Sequence, residues 1–223
     1  MWSLHRIFKS LLSVLLSCWL AVSSAVAADA VPLNRAQALE ALNRTAPAQR
    51  LAAVRRLADV GAMRDTDALV LRLSDDTQPV RDEASAALWK IWSRSGDAQI
   101  DALFARGVAQ MEQQAFQDAL KTFTDVVQRQ PDFAEGWNKR ATVLFLMGDN
   151  EKSLQDCDEV LRRNPKHFGA LSGAGQILLK LNQPQKALDY LQRALDVNPN
   201  LSSLASLLPL LEQQVRDKLR NST

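Results

Sequence analysis

The sequence predicts an all-α fold, organised as a solenoid of stacked helical hairpins. Pro131, Pro165 and Pro199 are spaced 34 residues apart, and apolar residues recur at matching positions between them. A fixed period of this length is typical of helical repeats that pack side by side around a continuous core. The chain contains only 8 Gly and 8 Pro residues, and no run of alternating β-branched residues predicts a strand.

Residues 1–27 have the features of a secretory signal peptide. Arg6 and Lys9 give a basic start, an apolar run extends from Leu11 to Val22, and the segment ends in Ala25-Val26-Ala27. A basic start, an apolar centre and an A-x-A end form the pattern that signal peptidases cleave. We therefore expect a mature protein that is periplasmic or secreted.

Two alternatives would keep the protein on the membrane. Residues 10–27 are almost long enough to span a bilayer if the segment is not cleaved. The run from Leu15 to Cys18 also resembles a lipoprotein acylation site, although Leu16 fits that pattern poorly. In either case only the N-terminal segment would contact the membrane, and the rest of the chain would face the periplasm.

The charge of the mature chain argues against two classes of partner. Loss of residues 1–27 removes Arg6 and Lys9 from the 27 basic residues and none of the 25 acidic residues, so the formal net charge becomes zero. A neutral chain has no electrostatic attraction for nucleic acid or for an anionic membrane surface.

Residues 28–97 form a helical segment with a weaker period. Three residues recur there at an offset of 31, in the pairs Arg50/Arg81, Ala53/Ala84 and Leu57/Leu88. Together with Pro79, which suits the first turn of a helix, this pattern resembles a HEAT-like repeat. We expect one such unit and part of a second, continuous with the hairpins that follow. A set of generic amphipathic helices is the alternative.

Residues 98–201 contain three units, each of two helices joined by a short turn. In the first unit, helices are predicted over Ile100–Met111 and Phe116–Gln128, because apolar residues recur there at spacings of 3 and 4. Pro131 ends the second helix, since proline lacks an N–H and disfavours helix in the residue before it. The same pattern then appears twice more at the same period.

These units resemble tetratricopeptide repeats. The matching residues are Gly107, Ala119, Phe123 and Pro131 in the first unit, Trp137 and Pro165 in the second, and Gly175, Ala187, Ala194 and Pro199 in the third. The resemblance implies a right-handed superhelix in which Trp137 is buried between neighbouring hairpins. Residues 137–140 and 167–173 also resemble tetratricopeptide-repeat proteins of bacterial envelopes.

Residues 202–223 are predicted to cap the array. Ser202–Leu219 forms an amphipathic helix with its leucines on one side. A terminal helix with one apolar face is what a stack of repeats needs at its open end. Pro209 lies within this helix and is expected to kink it or to mark its first turn.

The sequence contains no recognisable catalytic or metal-binding set. After residue 27, His167 is the only histidine and Cys157 the only cysteine. They fall on different parts of the repeat with no third group to orient them, which argues against nucleophilic catalysis. Cys157 is interpreted as a buried, inert thiol, and Asp156, Asp158 and Glu159 as a solvated helix face. We expect no enzymatic activity, no cofactor, no metal and no small-molecule substrate.

The resemblance places a binding surface on the first helix of each unit, which lines the concave face in this family. The residues predicted to form a peptide-binding groove are Phe104, Val108, Met111, Asn138, Lys139, Thr142, Phe145, Ser172, Gln176 and Leu179. Some members of the family hold a peptide carboxylate at positions occupied here by Phe104, Val108, Lys139, Gly169 and Gly173, of which only Lys139 is charged. We therefore expect amide contacts to a peptide backbone, with apolar pockets for its side chains. The alternative is that Phe104 and Phe145 only pack between hairpins.

These features indicate an exported, non-catalytic adaptor or scaffold of the cell envelope, which binds a protein or peptide through this groove. One alternative is a membrane-anchored assembly factor with the same groove. A less favoured alternative is an enzyme whose site is not recognisable from the sequence.

Overall fold

The computed structural model of the protein describes residues 32–220, and all regular secondary structure in this range is helical, as predicted. The predicted signal peptide, residues 1–27, and the last three residues, 221–223, lie outside the described range. No helix in the described range is both long and apolar enough to cross a membrane.

The helices fall into three groups along residues 33–220. Those of the N-terminal block, which we define as residues 33–95, are α1 (Arg35–Ala41), α2 (Pro47–Val60), α3 (Thr66–Val70) and α4 (Gln78–Trp92). Hairpin 1 consists of α5 (Ala98–Glu112) and α6 (Phe116–Arg129), hairpin 2 of α7 (Ala134–Leu146) and α8 (Asn150–Arg163), and hairpin 3 of α9 (Phe168–Lys180) and α10 (Pro184–Val197). The last helix is α11 (Ser202–Arg220), and 3₁₀ turns flank α3 at Met63–Asp65 and Leu71–Ser74.

An apolar core and a buried ion pair hold the N-terminal block together. Leu57 of α2 and Leu88 of α4 are fully buried in the same cluster, so residues that recur at the offset of 31 face one core. The Arg50 guanidinium donates two hydrogen bonds of 2.8 Å to the Asp75 carboxylate. These hydrogen bonds hold the pKa of Asp75 far below its usual value, although burial opposes ionisation.

The start of α4 agrees with the expected position of its proline. Pro79 lies in the first helical turn, where its missing N–H has no intrahelical acceptor to serve. Asp75 accepts a hydrogen bond of 3.0 Å from the Thr77 N–H just before the helix. The HEAT-like character of the block stays a prediction.

Each hairpin turns at the same position of the 34-residue period. Gln114, Gly148 and Asn182 have left-handed backbones, with φ of 59°, 85° and 55°. In hairpin 2 the Asp149 N–H then donates to the Leu144 carbonyl at 2.9 Å, which satisfies the end of α7. This is the Schellman arrangement, for which Gly and Asn are the usual residues. Gln114 adopts it with a side chain that disfavours positive φ.

The spaced prolines end each hairpin. Gln130, Asn164 and Asn198 each precede one of them and have φ of −133°, −138° and −131°. Proline removes an N–H and forces the residue before it out of the helical region. The second helix of each hairpin therefore stops, and the chain starts the next layer at a constant period.

The first helices of the three hairpins lie side by side, because α7 contacts both α5 and α9. We call the surface that α5, α7 and α9 form together the groove. Between hairpins 1 and 2, Phe104 packs edge-on against Phe123 and Phe133, with ring centroids 5.7 and 5.2 Å apart.

Trp137 differs from the fully buried wedge that the sequence predicts. Its ring packs on the apolar cluster of hairpins 2 and 3 but is only partly buried. The guanidinium groups of Arg140 and Arg163 lie 4.7 and 4.9 Å from its ring centroid, and its Nε1–H donates to the Pro131 carbonyl at 2.8 Å. Cation–π contacts and one hydrogen bond therefore replace part of the expected burial.

Helix α11 packs on α10 through buried Leu208, Leu211 and Val215. Pro209 lies inside the helix, seven residues after its start at Ser202, and not in its first turn. Leu210 on the opposite face is 66% exposed.

The N-terminal block folds back to hairpin 3, whereas the sequence suggests that it extends the stack from hairpin 1. Its buried core includes Phe168 of α9, with Val197 and Leu201 packed against it. At the edge of this contact, Asn200 Nδ2 donates to the Leu73 carbonyl at 2.7 Å and Asn200 Oδ1 accepts from Arg81 Nε at 2.9 Å. The 31- and 34-residue periods determine which side of each helix is apolar. They do not determine which distant helix packs against that side.

Asp75→Ala tests the buried ion pair. It leaves the Arg50 guanidinium buried without its main partner, so we expect a loss of about 3–5 kcal/mol in the free energy of unfolding. Urea denaturation followed by circular dichroism would measure it. Asp76→Ala is the matched control, because the Asp76 side chain also contacts Arg50 but is 81% exposed, and it should cost less than about 1 kcal/mol. Equal losses of unfolding free energy for the two variants would contradict the assignment of Asp75 as the main partner of buried Arg50.

Candidate peptide-binding groove

A cavity of about 280 Å³ opens on the groove between α7 and α9. Its walls combine apolar side chains with a few amide and hydroxyl groups, from Asn138, Ala141, Thr142, Phe145, Leu146, Ser153, Cys157, Gly169, Gly173, Gln176 and Ile177. A mostly apolar cavity with a small number of polar groups is the usual form of a binding site.

Four of the residues predicted from the sequence converge at this cavity. They are Asn138, Thr142 and Phe145 on α7 and Gln176 on α9. Gln176 is exposed, and Thr142 is exposed with its hydroxyl donating to the Asn138 carbonyl at 2.9 Å. The i, i+4 and i+7 spacing along α7 places its three residues on one face, as the helical period requires.

Ser172 and Gln176 also border a second cavity, of about 460 Å³, which is closed by the start of α11. The Ser172 hydroxyl donates to the Phe168 carbonyl at 2.8 Å. Leu179 is partly buried and packs toward the cluster of hairpin 3 and α11. A concave surface therefore continues from the groove at hairpins 2 and 3 to Leu207 of α11.

The three residues predicted on hairpin 1 do not line either cavity. Phe104 is 7% exposed and lies in the core of hairpin 1, while Val108 and Met111 pack partly buried against the same cluster. Phe104 therefore packs between hairpins, which is the alternative to a place in the groove. Its ring fills the space between Phe123 and Phe133 and is not available to a ligand.

Asn138 and Lys139 are engaged by a buried carboxylate. Asn138 Nδ2 donates to Glu135 Oε2 at 3.1 Å, and Lys139 Nζ lies 3.3 Å from Glu135 Oε1. Glu135 is 1% exposed. The one charged residue among the carboxylate-binding positions is thus already paired within the chain.

The same carboxylate meets a fully buried histidine. His167 Nδ1 accepts a hydrogen bond from the Ala170 N–H at 3.0 Å, and His167 Nε2 lies 2.9 Å from Glu135 Oε2. Since Nδ1 acts as an acceptor, the ring proton is on Nε2 and is donated to the carboxylate. His167 thus caps α9 and ties it to α7.

The environment of Glu135 keeps it ionised. Burial raises its pKa, but the hydrogen bond from His167, the positive charge of Lys139 and the hydrogen bond from Asn138 outweigh that effect, so its pKa lies below the ordinary value. A buried carboxylate is tolerated when several donors surround it.

Two residues near the cavity bear on its chemistry. The ammonium of Lys180 lies 3.8 Å from the centroid of the Phe145 ring, at the edge of the cavity. Burial, with the neighbouring Asp156 and Asp158 carboxylates, raises the pKa of Cys157 to about 12. The thiol is therefore protonated at neutral pH and a poor nucleophile.

Asp156 is a correction to the predicted solvated face. It is 4% exposed and accepts two hydrogen bonds of 2.7 Å from the Arg140 guanidinium. Asp158 is exposed, as predicted, and accepts from the Tyr190 hydroxyl at 3.0 Å. In residues 32–220, no group of three or more His, Cys, Asp or Glu side chains is arranged to hold a metal ion.

Sequence reasoning missed Glu135 as a neighbour of the groove. Glu135 lies in the first turn of α7, where an acidic residue is common because it complements the helix dipole. Nothing in that position marks it as buried. The available signal was His167, a polar side chain just before α9 that can accept a hydrogen bond from an N–H of the first turn.

Comparison with known proteins identifies the hairpins. Family profiles described as tetratricopeptide repeat match residues 101–132 and 132–200. The three hairpins are tetratricopeptide repeats. A tetratricopeptide-repeat protein of Rhizobium etli is 37% identical over 136 residues, an alignment that covers 60% of this chain and 66% of that protein. The predicted fold class and repeats are thereby confirmed.

Solved tetratricopeptide-repeat structures share the fold. The first such domain of Spaghetti (RPAP3), bound to an HSP90 peptide, superposes with a TM-score of 0.52 and 21% identity, over 54% of this chain and 96% of that one. The Yersinia enterocolitica chaperone SycD, in complex with a peptide of the translocator YopD, gives a TM-score of 0.51 and 14% identity, over 53% and 95%. At these identities the tetratricopeptide-repeat fold is what the likeness shows.

Glu135→Gln tests the buried carboxylate. It should cost about 1–3 kcal/mol at neutral pH, because a charge-assisted network becomes a set of neutral contacts. The pKa of Glu135 is lower in the folded protein than its ordinary value of 4.5, so its stabilising effect is present above that value and is lost as the pH falls through the folded pKa. The difference in melting temperature between wild type and variant should therefore narrow toward pH 3.

Glu112→Gln, at an exposed acid on α5, is the control. It should change the melting temperature little at either pH. A difference for Glu135→Gln that stays constant from neutral to acid pH would contradict the network.

Proposed function

We propose that this protein is a non-catalytic adaptor that binds a segment of another protein through the groove of its tetratricopeptide repeats. The observation that carries the proposal is the cavity between α7 and α9, where predicted groove residues from two hairpins meet. Apolar side chains and a few amide and hydroxyl groups line the cavity together, which suits one apolar side chain of a peptide and its neighbouring backbone.

The contacts available favour a peptide in extended form. The Gln176 amide is exposed and offers both a donor and an acceptor for backbone groups. Ile177, Ala141 and Phe145 supply the apolar walls for a side chain. Binding of a peptide carboxylate has no support here. Among the positions that would bind it, Lys139 is already paired with Glu135, and the position at residue 169 is a glycine with no side chain to contribute.

The solved relatives support this class of function. The Spaghetti domain was solved with an HSP90 peptide and SycD with a peptide of YopD. Both are arrays of the same helical hairpins, so the fold of this chain is suited to holding a peptide across its first helices. The partner of this chain is a protein or peptide, and nucleic acid is not favoured by its charge.

The site of action is proposed from the N-terminal sequence. Residues 1–27 follow the signal-peptide pattern, and residues 137–140 and 167–173 resemble tetratricopeptide-repeat proteins of bacterial envelopes. We place the adaptor in the periplasm or outside the cell, with a membrane-anchored form of the same binder as the alternative.

Gly173→Leu with Gln176→Ala tests the groove. A Cβ added at Gly173 would meet only Cys157 Sγ, at 3.9 Å, so this position has room for a side chain, and we expect the leucine to occupy the cavity that Gly173 lines. Peptides selected from a random 12-residue phage library on the wild-type protein, then made as fluorescein conjugates, should lose at least about tenfold in affinity. Fluorescence anisotropy would measure it.

The matched control is Gln192→Ala on α10, an exposed glutamine on a second helix of a hairpin. It should keep the wild-type affinity. Equal loss in both variants, or full binding by the cavity-filled variant, would refute the groove.

The N-terminus of the mature protein tests export. Mass spectrometry of the protein from envelope fractions should find a chain that begins near Ala28, because peptidase cleavage follows the A-x-A pattern. A retained Met1 would point to an uncleaved anchor, and an acylated Cys18 to a lipoprotein. Either result would overturn cleavage after Ala27 in favour of the membrane-anchored alternative.

A further inference from the structure

Part of the groove is already occupied by the chain itself. The indole of Trp89, on α4 of the N-terminal block, lies on the backbone of α9 at Gly169. The Lys139 ammonium lies 5.9 Å from the centroid of the same ring, on its α7 side. Gly169 lines the cavity between α7 and α9, and Lys139 is a predicted groove residue on α7. Both contact an internal tryptophan.

The contact depends on a glycine in the first turn of α9. A Cβ placed on Gly169 would lie 2.4 Å from the Trp89 ring, well inside the van der Waals limit. Gly173, one turn further along α9, has no such neighbour, since its added Cβ would meet only Cys157 Sγ at 3.9 Å. Gly169 is therefore the position that lets α4 approach α9 this closely.

The indole is held in place by an aromatic cluster. Its ring meets His167 and Phe168 edge-on, with centroids 5.2 and 5.4 Å apart, and Trp92 on the same helix stacks on His167 at 4.4 Å. Because His167 is anchored to Glu135, this cluster joins α4 to both α7 and α9. The N-terminal block thus sits on the first turns of the two helices that form the cavity.

We infer that the N-terminal block is an intramolecular occupant of the groove: Trp89, admitted by Gly169, holds a place that a partner peptide would otherwise use. The inference rests on the proposed function and names the regulation of that same site. Gly169 lines the cavity and also contacts Trp89, so a peptide that fills the cavity and extends along the first turns of α7 and α9 must compete with Trp89. The apparent affinity for such a peptide equals its intrinsic affinity multiplied by the fraction of molecules in which Trp89 has left this position.

The first experiment measures the contact without any ligand. Hydrogen exchange of the purified protein is followed by mass spectrometry for wild type, Gly169→Ala and Gly173→Ala. Gly169→Ala should raise exchange in α4 at least about tenfold, because the added methyl group displaces the indole, while α5 and α6 keep their protection. Gly173→Ala should leave α4 unchanged. Equal protection of α4 in all three proteins would overturn the inference.

The second experiment measures competition, with fluorescein-labelled peptides selected from the 12-residue library on Trp89→Ala protein. These peptides should bind Trp89→Ala at least about fivefold more tightly than wild type. Lys90→Ala is the control, because Lys90 is the exposed neighbour of Trp89 on α4 and pairs with Asp59 away from the groove. It should bind as wild type does.

The outcomes separate the two proposals. Weaker binding by Trp89→Ala than by wild type would show that the indole is a wall of the site, and equal binding that it does not compete; each would overturn the inference and leave the groove intact. If no peptide binds any variant, the proposed function fails, and with it the inference, whatever the exchange data show about the contact.

Discussion

The buried pair of Glu135 and His167 is the interaction on which the arrangement of this protein depends. One carboxylate receives hydrogen bonds from His167 and Asn138 and lies beside the Lys139 ammonium, while the histidine caps α9 and stacks on Trp92. Hairpin 2, hairpin 3 and the N-terminal block therefore meet at one polar centre inside an aromatic shell. A buried charge is costly unless its partners are all present, so the three parts are constrained to assemble together.

That constraint decides what the groove can do. In an isolated stack of hairpins, the surface of α5, α7 and α9 would be open along its whole length. Here Phe104 of hairpin 1 is buried in the core and is not available to a ligand. The first turns of α7 and α9 are covered by α4. What stays open is the cavity near Phe145 and Gln176 and its continuation toward Leu207. Under the proposed function, recognition would be confined to a short segment of a partner, since apolar burial and backbone contacts are available only there.

Prediction from the sequence succeeded where the structure is local. The 34-residue period placed the hairpins, their turns and the proline stops, because each of these is set by a few neighbouring residues. The same logic placed Asn138, Thr142, Phe145 and Gln176 on one surface, since helical spacing alone brings them there. It erred at Phe104, Trp137 and Asp156, whose exposure depends on the particular side chains that pack on them. Phe133 packs on Phe104, Arg140 and Arg163 pack on Trp137, and Arg140 pairs with Asp156. No repeat pattern identifies these partners.

The sequence by itself determined that this protein is an array of helical hairpins, with an inner and an outer face for each helix. Those properties follow from periodicity, proline chemistry and the turn residues, all of which act over a few positions. Only the tertiary structure decided that the N-terminal block returns to hairpin 3 and that Trp89 lies on Gly169, a contact between residues 80 positions apart. Such a contact depends on the fit of two complete surfaces, and the same apolar residues could have satisfied a local pattern while facing another neighbour.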